Sequence, residues 1–165
     1  VIPTHHHDDH AGGLRAFVAS GAIVITTRGN ARIFRRMAAA PYTIQPDEQA
    51  VQQKPVQFLF VEGKLVLEGG GTRVEIIDLG PSPHANEMLI GYVPASKFVF
   101  QGDLFNTGVG DPTTWGNLTT VHFAEWLSKS GLAVDSVGGT HSAVRTRAEL
   151  DGAAARVKQT ASQGS

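Results

Sequence analysis

The stretch that constrains this chain most is "HHHDDHAGG", residues 5–13, whose first six side chains are all imidazoles or carboxylates. In an extended segment residues i and i+2 point the same way, so His5 and His7 can face one point while His6 faces the other. If the chain then turns into a helix, Asp9 and His10 swing to a second point beside the first. The spacing His-x-His-x-Asp-His is therefore suited to serving two metals from one short loop. The chain has no Cys, which excludes thiolate sites and disulfides. Histidine and carboxylate donors suit zinc, with iron or manganese as alternatives. A purification-tag remnant would explain three histidines, but not the Asp9-His10-Ala11-Gly12-Gly13 that follows.

Two four-coordinate metals need more donors than this loop holds. Three further residues stand where a strand gives way to a Gly/Pro-rich loop: His84 in "GPSPHANEML", Asp103 in "VFQGDLF" and His141 in "VGGTHS". In α/β sheets functional groups gather in loops beyond strand ends. His6 and His122 have no such placement and read as packing or surface residues. Trp115, Phe105 and Met88 read as core, with a pocket wall as the alternative.

The rest of the chain supplies a layered frame. Val1–Thr4 is extended, and Asp8–Ser20 reads as a helix with Leu14, Phe17 and Val18 on one face, ended by Gly21. Ala22–Thr26 is a buried strand and Asn30–Ala39 a second helix. Residues 40–55, with three prolines, form a loop. Val56–Val61, Lys64–Leu67 and Arg73–Leu79 are strands, with turns at Gly63 and Gly69–Gly71. Met88–Val93 and Phe98–Gln101 make a hairpin around "PASK". A glycine-rich loop spans Gly102–Gly116. Asn117–Ser130 is a helix with Leu118, Val121, Phe123, Trp126 and Leu127 as its apolar residues. Ala133–Val137 is the last strand, and Val144–Gln159 the last helix, interrupted by Gly152. Strands with helices outside them predict a layered α/β arrangement in a single domain over residues 1–165.

Composition narrows the partners. With 41% hydrophobic and 18% charged residues the chain reads as globular rather than disordered. A formal net charge of −1 gives no reason to expect nucleic acid or an anionic membrane. No run is apolar and long enough to span a bilayer. The expected partner is a small-molecule substrate. The compartment cannot be read.

His5-x-His7-x-Asp9-His10-Ala11-Gly12-Gly13, then a lone His84, Gly102-Asp103 and His141, together resemble the metallo-β-lactamase-fold superfamily of hydrolases, over nearly the whole chain. The resemblance implies that His5, His7 and His84 hold one divalent ion, that Asp9, His10 and His141 hold a second, and that Asp103 bridges them. It implies two divalent ions, zinc first among the choices. Asp9 is then both ligand and the group that orients a metal-bound hydroxide. The superfamily's αββα sandwich carries strands and a helix before this loop. Their lack predicts a partial sandwich of layered sheets with outer helices, without the N-terminal strands. Something is expected to precede Val1, or self-association to cover the faces left open. Ser142 stands where Gly usually follows the final His. Without Cys the thiolate-liganded lactamase subclass is excluded, and the Asp bridge is similar to glyoxalase II-like and lactonase-like members. The implied activity is hydrolysis of an ester, thioester, lactone or phosphoester. The alternatives are a mononuclear iron dioxygenase of the glyoxalase II-like branch, or an inactive fragment that needs another segment or subunit.

Overall fold

The structure, a computed structural model, describes residues 1–107 and 112–163. Its elements run α1 (Asp8–Ala11), α2 (Leu14–Ala19), β1 (Ile23–Thr26), α3 (Ala31–Ala39), α4 (Glu48–Gln52), β2 (Gln57–Phe60), β3 (Lys64–Gly69), β4 (Thr72–Asp78), β5 (Leu89–Val93), β6 (Phe98–Phe100), α5 (Leu118–Ser130), β7 (Ser136–Gly139), β8 (Ser142–Thr146) and α6 (Arg147–Gln163). β1 and β2 form a parallel two-stranded sheet. The other six strands form one sheet in chain order, antiparallel except where β6 and β7 run parallel. That parallel pair needs a crossover, and α5 provides it.

Period-2 alternation along the strands builds the layers. Ile77, Ile90, Tyr92, Val99 and Val137 pack with Phe123, Leu127, Leu150 and Ala153 of α5 and α6. Their neighbours Ile76 and Leu89 face the other way, onto Ile25 and Val61 beside the small sheet. Val24 and Phe58 point outward again, under Leu14, Val18, Phe34 and Ala38 of α2 and α3. The result is helix, sheet, sheet, helix: an αββα sandwich whose smaller sheet holds two strands. Val1 runs beside β1, its ammonium donating to the Ile23 carbonyl at 2.8 Å and its carbonyl accepting from the Ile25 N–H at 2.9 Å.

Several local expectations change. The helix over residues 8–20 is two short ones, broken at Gly12–Gly13. Phe17 is half exposed and Leu118 largely exposed, so neither shares the buried face of its helix. The proline-bearing loop contains α4, capped by Asp47, whose carboxylate accepts from the Ala50 N–H. β8 occupies residues expected at the start of the last helix, and α6 then continues through Gly152 without a break. Of the glycine-rich loop, residues 108–111 lie outside the described residues. Met88, Phe105 and Trp115 are core, not pocket wall. Among the described residues no helix is long and apolar enough to cross a membrane.

Arg15 fastens the 40–55 segment to the helices. Its buried guanidinium donates to both Asp47 carboxylate oxygens at 2.6 Å and to the carbonyls of Met37, Ala38 and Ala40, at 2.8–2.9 Å. Those carbonyls lie in and just after the last turn of α3, where only Met37 has a helical partner, the Ala40 N–H at 3.3 Å. The Arg15 hydrogen bonds hold the Asp47 carboxyl at about 2, well below its usual range. This pairing stabilises the fold fully above about pH 4 and is lost as pH falls through about 2. Arg15→Met is expected to lower the unfolding free energy by about 1–3 kcal/mol, through the buried carbonyls it leaves without their donor. It should also flatten the loss of stability between those pH values. Urea melts at pH 7, 4 and 2 check both, and an unchanged midpoint at pH 7 would contradict the clamp.

Candidate metal centre

Strand direction gathers the site at one edge of the sandwich. β4, β6 and β7 all point the same way, since β5 is antiparallel to β4 and β6, and β7 is parallel to β6. His84, Asp103 and His141 follow their C-terminal ends. The Val1–Pro3 segment delivers His5 to the same edge, tied there by the Leu89 N–H donating to the Thr4 carbonyl at 2.8 Å. α1 begins directly afterwards and presents Asp9 and His10.

The seven side chains fall into two groups that share one member. His5, His7, His84 and Asp103 form the first, and Asp9, His10, Asp103 and His141 the second, with the ligand atoms of each group within 4.8 Å of one another. His6 and His122 belong to neither. In the first group His5 Nε2 lies 2.9 Å from His7 Nδ1 and 3.0 Å from His84 Nε2. In the second, His10 Nε2 is 3.0 Å from Asp103 Oδ2, and His141 Nε2 is 2.9 Å from Asp9 Oδ2. Asp103 Oδ2 also faces His84 Nε2 at 3.4 Å, while Oδ1 faces His141 Nε2 at 3.5 Å.

This donor set fits cations. Three imidazole nitrogens converge on one point in the first group. A single proton there leaves two lone pairs facing each other, whereas a cation satisfies all three. Asp103 is 7% exposed, and its Oδ1 has no hydrogen-bond partner among the described residues. A buried carboxylate oxygen in that state is costly unless a positive charge meets it. Zinc held tetrahedrally at about 2.0–2.1 Å spaces its donors about 3.3 Å apart, close to the separations seen here. Burial, then the neighbouring His10, His7, His84 and His6, push the His5 imidazole down to about 3. Burial likewise lowers His84, against the pull of Asp103. Both rings are therefore neutral, the form that ligates. The His141 hydrogen bond lowers Asp9, which keeps it a carboxylate.

The two groups differ in access. His5 is fully buried and His84 mostly so, while Asp9 and His141 are each nearly half exposed. The centre is open to solvent on the Asp9 and His141 side.

Three supports escaped the sequence reading. Gln101, fully buried, accepts from the N–H groups of Leu104 and Phe105 and donates to the Phe105 carbonyl, so its amide shapes the turn that carries Asp103. Ser142, the departure from Gly, donates to the same carbonyl at 3.1 Å and stitches the His141 loop to that turn. Thr4 touches two ligand rings. In the sequence Gln101 shows only as a polar residue between Phe100 and Gly102, Ser142 only as a departure from Gly, and Thr4 only as the residue before His5.

The metallo-beta-lactamase superfamily model matches residues 1–137. No curated protein is similar to the chain at a significant level. Among solved structures, a metallo-beta-lactamase from Pontibacter korlensis is similar with a TM-score of 0.65 at 21% identity, over 95% of this chain and 67% of its own. DIM-1 metallo-beta-lactamase exposed to ceftazidime gives 0.63 at 16% identity, over 96% and 67%. TMB-1 gives 0.64 at 16% identity, over 97% and 67%. Identities this low carry the fold and nothing finer. The chain spans about two thirds of the length of each of the three.

Proposed function

The chain belongs to the metallo-beta-lactamase superfamily, and on that premise we propose that it is a hydrolase with two divalent ions, acting on an ester, thioester, lactone or phosphoester. The observation that carries the reading is the pair of four-donor groups joined through Asp103. Two divalent ions, when held there, would supply a nucleophile near neutral pH and polarise the substrate oxygen under attack. His5, His7 and His84 would hold the buried ion, His10, Asp9 and His141 the open one, and Asp103 both. The Asp9 carboxylate, exposed beside His141, accepts a hydrogen bond from the attacking water and fixes its direction. The burial of His5 and Asp103 excludes bulk water from the inner side and strengthens every charge interaction there.

Choice among substrates rests on the bridge. It is a carboxylate, similar to that of glyoxalase II-like and lactonase-like members, and that resemblance favours acyl and phosphoryl esters over β-lactams. The zinc-loaded protein is expected to hydrolyse a member of one of those four classes in a panel that also includes β-lactams. Chelation should abolish the activity and added zinc restore it. Turnover indifferent to chelation, or a loaded protein inert to the whole panel, would contradict the proposal.

A further inference from the structure

Thr4 occupies a position that neither metal group claims. Its side chain is buried at 8% exposure, and its Oγ1 lies 3.1 Å from His5 Nδ1 and 3.2 Å from His10 Nδ1. Those two rings belong to different groups, His5 to the first and His10 to the second. Each turns its Nε2 into the cluster, His5 toward His84 and His10 toward Asp103.

A neutral imidazole has one N–H and one lone pair. For Nε2 to ligate, the proton must sit on Nδ1, and a buried Nδ1–H needs an acceptor. His5 is fully buried, and Thr4 Oγ1 is the acceptor placed against its Nδ1. His10 has Thr4 at 3.2 Å and the more exposed Thr140 Oγ1 at 3.4 Å. A hydroxyl oxygen carries two lone pairs, enough for both N–H groups. Were Thr4 instead to donate to either ring, that ring's proton would move to Nε2 and block ligation. We propose that Thr4 is a positioning residue for both halves of the centre: its one hydroxyl oxygen accepts from His5 Nδ1–H and His10 Nδ1–H, locking both rings in the ligating tautomer.

The surroundings hold the hydroxyl in place. A side-chain carbon at Gly102, next to Asp103, would come within 2.9 Å of Thr4 Oγ1. Gly102 also sits at φ +68°, where glycine is favoured. The Asp103 turn and Thr4 are thus fitted against each other.

The inference rests on the metal reading above, and its test separates the two. Zinc alone is titrated into wild type, Thr4→Val and Thr4→Ser against a chromophoric chelator. Valine keeps the shape without the oxygen, and serine keeps the oxygen. Loss of an outer partner to a ligating histidine costs about 10–100-fold in affinity. Thr4→Val is expected to bind zinc at least tenfold more weakly, with Thr4→Ser within threefold of wild type. The loss should be larger for the buried ion, because among the described residues His5 Nδ1 has Thr4 alone, whereas His10 also has Thr140. A smaller loss in Thr4→Val, or an equal loss in Thr4→Ser, overturns the role. Imidazole nitrogen NMR of zinc-loaded wild type tests the tautomers directly, even if a variant misfolds. Protected Nδ1–H signals for both His5 and His10 are expected, and absence of either contradicts the proposal. Wild type that takes up no zinc would sink the metal reading itself, and this inference with it.

Discussion

Replacing Asp103 with alanine is expected to weaken both ions at once. Among the described residues no other belongs to both groups. Its Oδ2 faces His10, His84 and, at 3.9 Å, His5, while Oδ1 faces His141. Removing it takes one of four donors from each group and the only negative charge from the first. Loss of a mere outer partner already costs about 10–100-fold, so the loss here should exceed about 100-fold for each ion. Hydrolysis should fall with it to near the uncatalysed rate. Folding should survive, because Gln101 and Ser142 hold the turn through Phe105 and the backbone, and not through the carboxylate. Zinc titration with a circular dichroism control checks this. A variant that loses one ion and keeps the other at wild-type affinity would show that Asp103 does not bridge.

Much of this centre was legible in the string from His5 to His10, for a physical reason. Alternation in an extended segment and the turn into α1 are local rules, and four of the seven groups obey them within six residues. His84, Asp103 and His141 were legible as loop residues after strands, since parallel strand ends bring distant loops to one edge. A layered α/β arrangement followed from strands with helices outside them, and the family resemblance implied that the layers are αββα. What escaped depends on contacts across the chain. β8 is short and half exposed, and a sequence window joins it to α6, whose start is set by Glu149 accepting from the Thr146 N–H. The break between α1 and α2 reflects two glycines at the point where the chain leaves the metal edge. Nothing in the sequence sets Arg15 apart from the other Lys and Arg residues, and its five hydrogen bonds depend on the folded chain. Thr4 and Gln101 matter only through neighbours far along the chain or across a turn, which no periodicity reveals.

The second large effect is expected at Asp9. Asp9→Ala should cut kcat by about 10²–10⁴-fold, the usual worth of a positioned acid–base group. It should do so while the buried ion stays bound, because His5, His7, His84 and Asp103 are untouched. Asp9→Asn keeps a ligating oxygen but is a weaker acceptor, so its rate should fall between the two. The His141 hydrogen bond that lowers Asp9 is lost in Asp9→Ala and weakened in Asp9→Asn, whose amide oxygen still accepts. Steady-state rates at saturating zinc, with the metal content of each sample measured, check the expectation. Wild-type turnover in Asp9→Ala with metal content intact would remove Asp9 from the chemistry and leave it a ligand at most.

The central claim is that one compact cluster of five imidazoles and two carboxylates is a two-ion centre. Elemental analysis of the folded chain after loading and removal of excess metal tests it most directly. The account predicts two ions per chain, falling to one in the double variant His10→Ala with His141→Ala, which empties only the open group. One ion per wild-type chain, above all a single iron with oxygen consumed during turnover, would contradict it, as would none.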